Sequence, residues 1–185
     1  MAAYTTQNSM LMENLKKFYR DNPDKLDTML HIINGESEVS LRIVDWFATN
    51  YAKQQFTVYK MKNGKRFKVY ADYKLKLRAY SKKRFDPFCR WERITIPYKT
   101  DTAIQTTIGQ LNFFKWAIEN EVIDYIKANY AAIETDMNHR NSTSRRRQQG
   151  TDTSGTKTRK RREELSISAS KSIKHEEVEI MVKFD

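Results

Sequence analysis

The sequence predicts an α+β domain, with helices packed on a small antiparallel sheet, a basic flexible arm and a C-terminal strand pair. Three observations carry this reading. Apolar residues recur at helical spacing near 9–34, 37–52 and 102–134. Between them, apolar residues alternate with cations around an Asn-Gly pair, the strongest short hairpin signal because both turn residues tolerate positive φ. Beyond residue 137 a stretch without large apolar side chains gives way to renewed alternation. The expected organisation is a core domain over 1–137, a basic linker over 138–163 and a hairpin over 164–185. That hairpin would dock on its own or a neighbouring sheet.

The elements follow in order. Ser9 is a candidate N-cap for a first helix built on Leu11, Met12, Leu15, Phe18 and Tyr19. Asp21-Asn22-Pro23 interrupts it, and Pro23 suits a first helical turn. Leu26, Met29, Leu30 and Ile33 form a second stripe, which Gly35 stops. A third helix starts at Ser37 or Ser40, with Leu41, Val44, Phe47, Ala48 and Tyr51 on one face. Phe56–Met61 reads as a strand, Lys62-Asn63-Gly64-Lys65 as its turn, and Arg66–Tyr80 as a long return strand. A basic loop over Ser81–Pro87 leads to a third strand near Trp91–Tyr98.

From about Asp101 to Ile133 the helical period returns, with Asp101 or Thr102 as cap. Gly109 weakens that helix by ~1 kcal/mol relative to Ala. At the end, Leu165–Ile173 and Val178–Phe184 read as strands turning near Lys174-His175.

Charge is concentrated. Lys60–Arg93 holds 13 Lys or Arg against three acids, in a chain of net charge +11. On the strand reading, Lys68, Lys74, Lys76 and Arg78 share an outward face with Tyr70 and Tyr80, continued by Lys82, Lys83 and Arg84. Such a face suits an anionic or acidic partner. It fits three roles: a solvated edge blunted by lysines, a stacking platform for single-stranded nucleic acid, or a contact with an acidic protein. The linker adds nine cations against two acids, including Arg145-Arg146-Arg147 and Arg159-Lys160-Arg161-Arg162. Such runs suit contacts with polyanions or neighbouring subunits, or a nuclear-import signal. The linker lacks the apolar surface to offset its ordering entropy, so it is expected to be flexible alone.

Catalytic chemistry is hard to assemble from these residues, and neither a catalytic, a cofactor nor a metal site is expected. His31 reads as a structural histidine in an apolar helix; His139 and His175 lack ligand-spaced companions. The five glycines are scattered, and no serine sits in a nucleophile elbow. Glu119, Glu121 and Asp124 read as a solvated helix face. Cys89, the single cysteine, reads as a small buried residue among Phe85, Phe88 and Trp91, which are expected to be buried in the core or at a subunit contact. Neither a signal peptide nor a membrane-spanning run is expected.

Several strings point further. Leu41-Arg-Ile-Val-Asp-Trp-Phe-Ala-Thr-Asn-Tyr51, Leu77-Arg-Ala-Tyr-Ser-Lys-Lys-Arg-Phe-Asp-Pro-Phe-Cys-Arg90, Arg161-Arg-Glu-Glu-Leu-Ser-Ile-Ser-Ala-Ser170 and Val182-Lys-Phe-Asp185 resemble a family of small proteins encoded by nucleocytoplasmic large DNA viruses. The resemblance covers most of the chain. It implies a structural minor capsid protein, made in the host cytoplasm and placed on the inner face of the shell. Its implied partners are the major capsid protein and other minor capsid proteins, together with the inner membrane surface or viral DNA. The alternative is a viral nucleic-acid-binding protein acting in genome packaging or late transcription.

Overall fold

The computed structural model describes residues 7–91, 93–98, 102–149 and 175–177. The fold is α+β, as expected. Helix α1 (Gln7–Asp21) begins two residues before Ser9, so Ser9 lies within its first turn. Pro23 opens α2 (Pro23–Asn34), and Gly35 closes it in the left-handed conformation at φ 76°. Ser40 caps α3 (Leu41–Trp46), its side chain accepting from the Ile43 N–H. A π-helical turn (Phe47–Tyr51) and the short α4 (Ala52–Gln54) prolong the same rod. Phe47 and Ala48 are thereby kept in the core.

Strands β1 (Val58–Lys60) and β2 (Arg66–Lys68) pair antiparallel across the Asn63-Gly64 turn. Here the structure departs from expectation: the return strand ends at Lys68, and α5 (Val69–Phe85) replaces the rest. Alternation is compatible with either element, and composition decides. Between Tyr70 and Phe85 there is no β-branched residue, whereas Ala, Leu, Lys and Arg are strong helix formers. The helix buries Val69 and Tyr73 and is kinked at Ser81, where φ is 63° and ψ 164°. It runs through most of the expected basic loop, and Phe85 after the kink is fully buried.

Strand β3 (Arg93–Tyr98) pairs antiparallel with β4 (Thr102–Thr107), from Arg93↔Thr107 to Tyr98↔Thr102. The backbone of β5 (His175–Glu177) adds to the far side of β4. Two expectations change at this sheet. Residues 102–107, four of them β-branched, form a strand and not a helix start, and Thr107 takes over the expected cap, accepting from Gln110 N–H at 3.2 Å. His175, expected in a turn, lies in β5. The expected strands Leu165–Ile173 and Val178–Phe184 fall outside the described residues.

The expected single helix over 101–133 is three: α6 (Ile108–Glu119), α7 (Val122–Ala128) and α8 (Tyr130–Gln149). Asn120 and Glu121 break the first pair, with Glu121 left-handed at φ 57°. The backbone of α8 continues through 138–149, which the charge pattern assigns to the linker. Such polar, Arg- and Gln-rich residues have adequate helix propensity when extended from a packed helix.

Helix α6 is the centre of the fold. Nine of its residues are buried, among them Leu111, Asn112, Phe113, Phe114 and Trp116 on several faces. A helix covered all round needs neighbours on every side, and α1, α2, α5, α7 and β4 supply them. Gly109 permits the closest approach: a Cβ there would lie 2.6 Å from the Asp86 carbonyl oxygen. Ring contacts spread outward, with Phe85 5.8 Å from Phe113 and 5.7 Å from Trp116.

Candidate functional site

The hairpin has two chemically distinct faces. Inward, Tyr59 stacks on Tyr125 at 4.8 Å and tilts against Phe67, whose ring lies 6.3 Å from Trp116. Burial pushes the Tyr59 phenol well above its ordinary range, with Glu121 adding to the effect. Outward, the register sets Val58 beside Lys68 and Lys60 beside Arg66, all four exposed. The turn is pinned to the α6–α7 corner. Glu121 accepts the Lys62 backbone N–H at 3.0 and 3.2 Å, and Lys62 Nζ reaches Asp124 at 3.1 Å. That hydrogen bond with Asp124, backed by Glu121, raises the Lys62 pKa. Of the three acids expected to form a solvated face, Glu121 and Asp124 anchor the hairpin, whereas Glu119 pairs with Lys115 at 4.0 Å.

Helix α5 carries the remaining cations of the expected site and divides them. Ala71, Lys74, Leu75, Arg78 and Ala79 form an exposed stripe at helical spacing. The first-turn acid of α5, Asp72, is turned inward and accepts from Trp116 Nε1–H at 2.6 Å. Lys60, Arg66, Lys68, Lys74 and Arg78 thus have no carboxylate partner among the described residues.

The other residues go elsewhere. Tyr70 is half-buried beneath Lys53 Nζ, 5.8 Å from its ring. Lys82 pairs with Asp86 at 3.6 Å, and Lys83 lies 3.7 Å over the Trp91 ring. Arg84 is half-buried, and its carbonyl accepts from Asn112 Nδ2 at 2.9 Å. Lys76 and Tyr80 turn into a cleft of about 450 Å³ between α1, α5 and α6, which the strand reading had no means of finding.

Two expectations about single residues change and one is narrowed. Trp91 is 50% exposed, which removes the core and leaves a subunit contact as its expected place, whereas Phe85 is buried and Phe88 half-buried. His31 is exposed, with Nε2 3.7 Å from Glu36, because it lies on the outer face of α2 opposite its apolar stripe. Cys89 is half-buried and not enclosed. Among the described residues, no group of three His, Cys, Asp or Glu side chains could hold a metal, and no helix is long and apolar enough to cross a membrane. Of the arm residues, Arg145, Arg146 and Arg147 continue the backbone of α8. Arg159, Lys160, Arg161 and Arg162 lie outside the described residues.

Comparison with known proteins adds descent to this geometry. A family model described as "Family of unknown function (DUF7197)" matches residues 2–183. The chain is 43% identical over 142 aligned residues to "Uncharacterized protein L507" of Acanthamoeba polyphaga mimivirus. The match covers 72% of this chain and 55% of the relative, so the chain spans about half of that protein's length. No solved structure matches significantly. The relationship supports an origin in a nucleocytoplasmic large DNA virus, and the chain belongs to the family of unknown function DUF7197.

Proposed function

We propose that this protein is a non-enzymatic structural component of a large DNA-virus particle. In this reading it is a minor capsid protein that cements major-capsid capsomers from the inner side of the shell. The observation that carries the reading is the set of exposed cations on the hairpin and α5: Lys60, Arg66, Lys68, Lys74 and Arg78 have no carboxylate partner among the described residues. Asp72 is taken up by Trp116, and Glu121 and Asp124 by Lys62. Exposed cations accompanied by exposed Val58 and Leu75 suit an acidic protein face with apolar gaps. The mimivirus relative supports the viral setting.

Cryo-electron microscopy of purified particles, with quantitative mass spectrometry, tests the reading. Ordered copies beneath the capsomers are expected, and Lys60→Glu/Arg66→Glu should abolish capture of the major capsid protein. The second reading, a nucleic-acid-binding protein, rests on the same cations together with Phe56, which is 85% exposed at φ 48° and offers a ring for base stacking. Absence from the shell, combined with submicromolar, salt-sensitive DNA binding lost in the same variant, would replace the first reading with the second.

A further inference from the structure

The cleft between α1, α5 and α6 is separate from the hairpin surface, and its chemistry differs. Its carboxylates already have counter-cations: Asp21 lies 3.8 Å from Arg20, and Glu119 lies 4.0 Å from Lys115. Two further lining ammonium groups, Lys17 on α1 and Lys76 on α5, have no carboxylate partner among the described residues. Lysine side chains without a carboxylate partner therefore line the cleft from two different helices.

A second, independent feature lies in the wall. Asn112 is 5% exposed, yet it lines the cleft. Its Nδ2 donates to the Arg84 carbonyl at 2.9 Å, and its Oδ1 has no partner among the described residues. That oxygen is an acceptor only, and it is not sealed from solvent. A ligand N–H would replace water there. The walls also offer a flat aromatic surface in Tyr80, which stacks on Phe85 at 6.1 Å and 21°, whereas the Phe18 ring is already covered by Lys115 Nζ at 4.7 Å and Lys25 Nζ at 4.9 Å.

We propose that this cleft binds a small phosphate-bearing ligand of the nucleoside phosphate class. Lys17 and Lys76 would take the phosphate, as ammonium groups take anionic oxygens through charge-assisted hydrogen bonds. Asn112 Oδ1 would accept from a base N–H, and Tyr80 would lie against the base. The cleft volume falls within the usual range of small-molecule sites. Inorganic phosphate would use the lysines and leave Asn112 and Tyr80 uncontacted, so the whole ligand should bind more tightly than its phosphate alone.

Isothermal titration of the full chain with ATP, GTP, CTP, UTP, pyrophosphate and inorganic phosphate tests this. At least one nucleotide should bind more tightly than either inorganic anion. Lys17→Glu/Lys76→Glu should weaken that binding about tenfold or more, since hydrogen bonds to charged groups are the stronger kind. Asn14→Trp, at an exposed position on the cleft wall, should block the site without changing the charge. The hairpin variant Lys60→Glu/Arg66→Glu should leave nucleotide binding unchanged, and circular dichroism would establish that each variant is folded. Any of four results overturns the proposal: no nucleotide binding, inorganic anions bound as tightly, equal loss in the hairpin variant, or equal competition by a poly-glutamate peptide. The capsid reading stands or falls apart from these results.

Discussion

Replacing Gly109 by alanine sets two effects against each other at one atom. Gly109 lies in the first turn of α6, away from the positive-φ region, so helix propensity alone favours alanine by ~1 kcal/mol. The new Cβ would lie 2.6 Å from the Asp86 carbonyl oxygen and 3.4 Å from that of Lys83. Ordinary contact begins near 3.4 Å, so about 0.8 Å must be recovered at Asp86. The obstacle is backbone and is held in place. The Asp86 carbonyl accepts from Cys89 N–H at 3.1 Å, the Asp86 side chain accepts from Phe88 N–H at 2.8 Å, and Arg84 is tied to Asn112. Forcing α6 and this loop apart should cost ~1–3 kcal/mol, typical of overpacking, and should outweigh the propensity gain. Urea unfolding of Gly109→Ala should therefore show a lower midpoint with an unchanged slope. A midpoint equal to or above that of the natural protein would show that the loop yields, and the close approach would lose its structural meaning.

Other outcomes follow from the same packing. Asp72→Ala leaves the Trp116 indole N–H without its acceptor at a residue 3% exposed; a loss of ~1–3 kcal/mol is expected in chemical unfolding, and less for Asp72→Asn. Trp91→Ala should cost no more than ~1 kcal/mol, the scale of its contact with Lys83, whereas Phe85→Ala should cost ~3–5 kcal/mol; paired thermal melts check the contrast. Burial raises the phenol pKa values of Tyr19, Tyr59 and Tyr73 above the unfolded value of 10.0. Their contribution is fully present below that value and is lost as pH rises from it through the folded values. Absorbance titration at alkaline pH should show these three phenols ionising together with unfolding, not before it.

The sequence was most legible where local chemistry and packing agree. Pro23, Gly35, Ser40 and Gly64 each stand where their backbone preferences place them, although Asn63 does not take the positive φ its pairing with glycine suggests. The 69–85 segment misled because Val69, Ala71, Tyr73, Leu75, Leu77 and Ala79 satisfy a period of two. The inward residues Val69, Tyr73, Lys76 and Tyr80 also satisfy a period near 3.6. The missing β-branched residues were the available signal, and their abundance in 102–107 was its counterpart. Of the expected basic site, Lys68, Lys74 and Arg78 remain on an outer surface, while Lys76 moves into the cleft. The cleft itself was illegible, since α1, α5 and α6 meet only through the tertiary fold.

The kink at Ser81 changes the phase of α5. In an unbroken helix, Phe85 would follow Arg78 by seven residues and would stand on the same solvent-facing side as Lys74 and Arg78. It is fully buried instead, between Tyr73, Tyr80, Phe113 and Trp116. The single residue at φ 63°, ψ 164° rotates the last turn so that an aromatic ring enters where a cation's neighbour would have been. That backbone region belongs to glycine, and a serine there stores ~1–3 kcal/mol of strain. Ser81→Gly should raise the melting temperature, and an unchanged or lowered value would count against the strain. The fold thus trades local backbone comfort for a rotational offset, and one residue separates the charged side of α5 from the ring that locks it to the core.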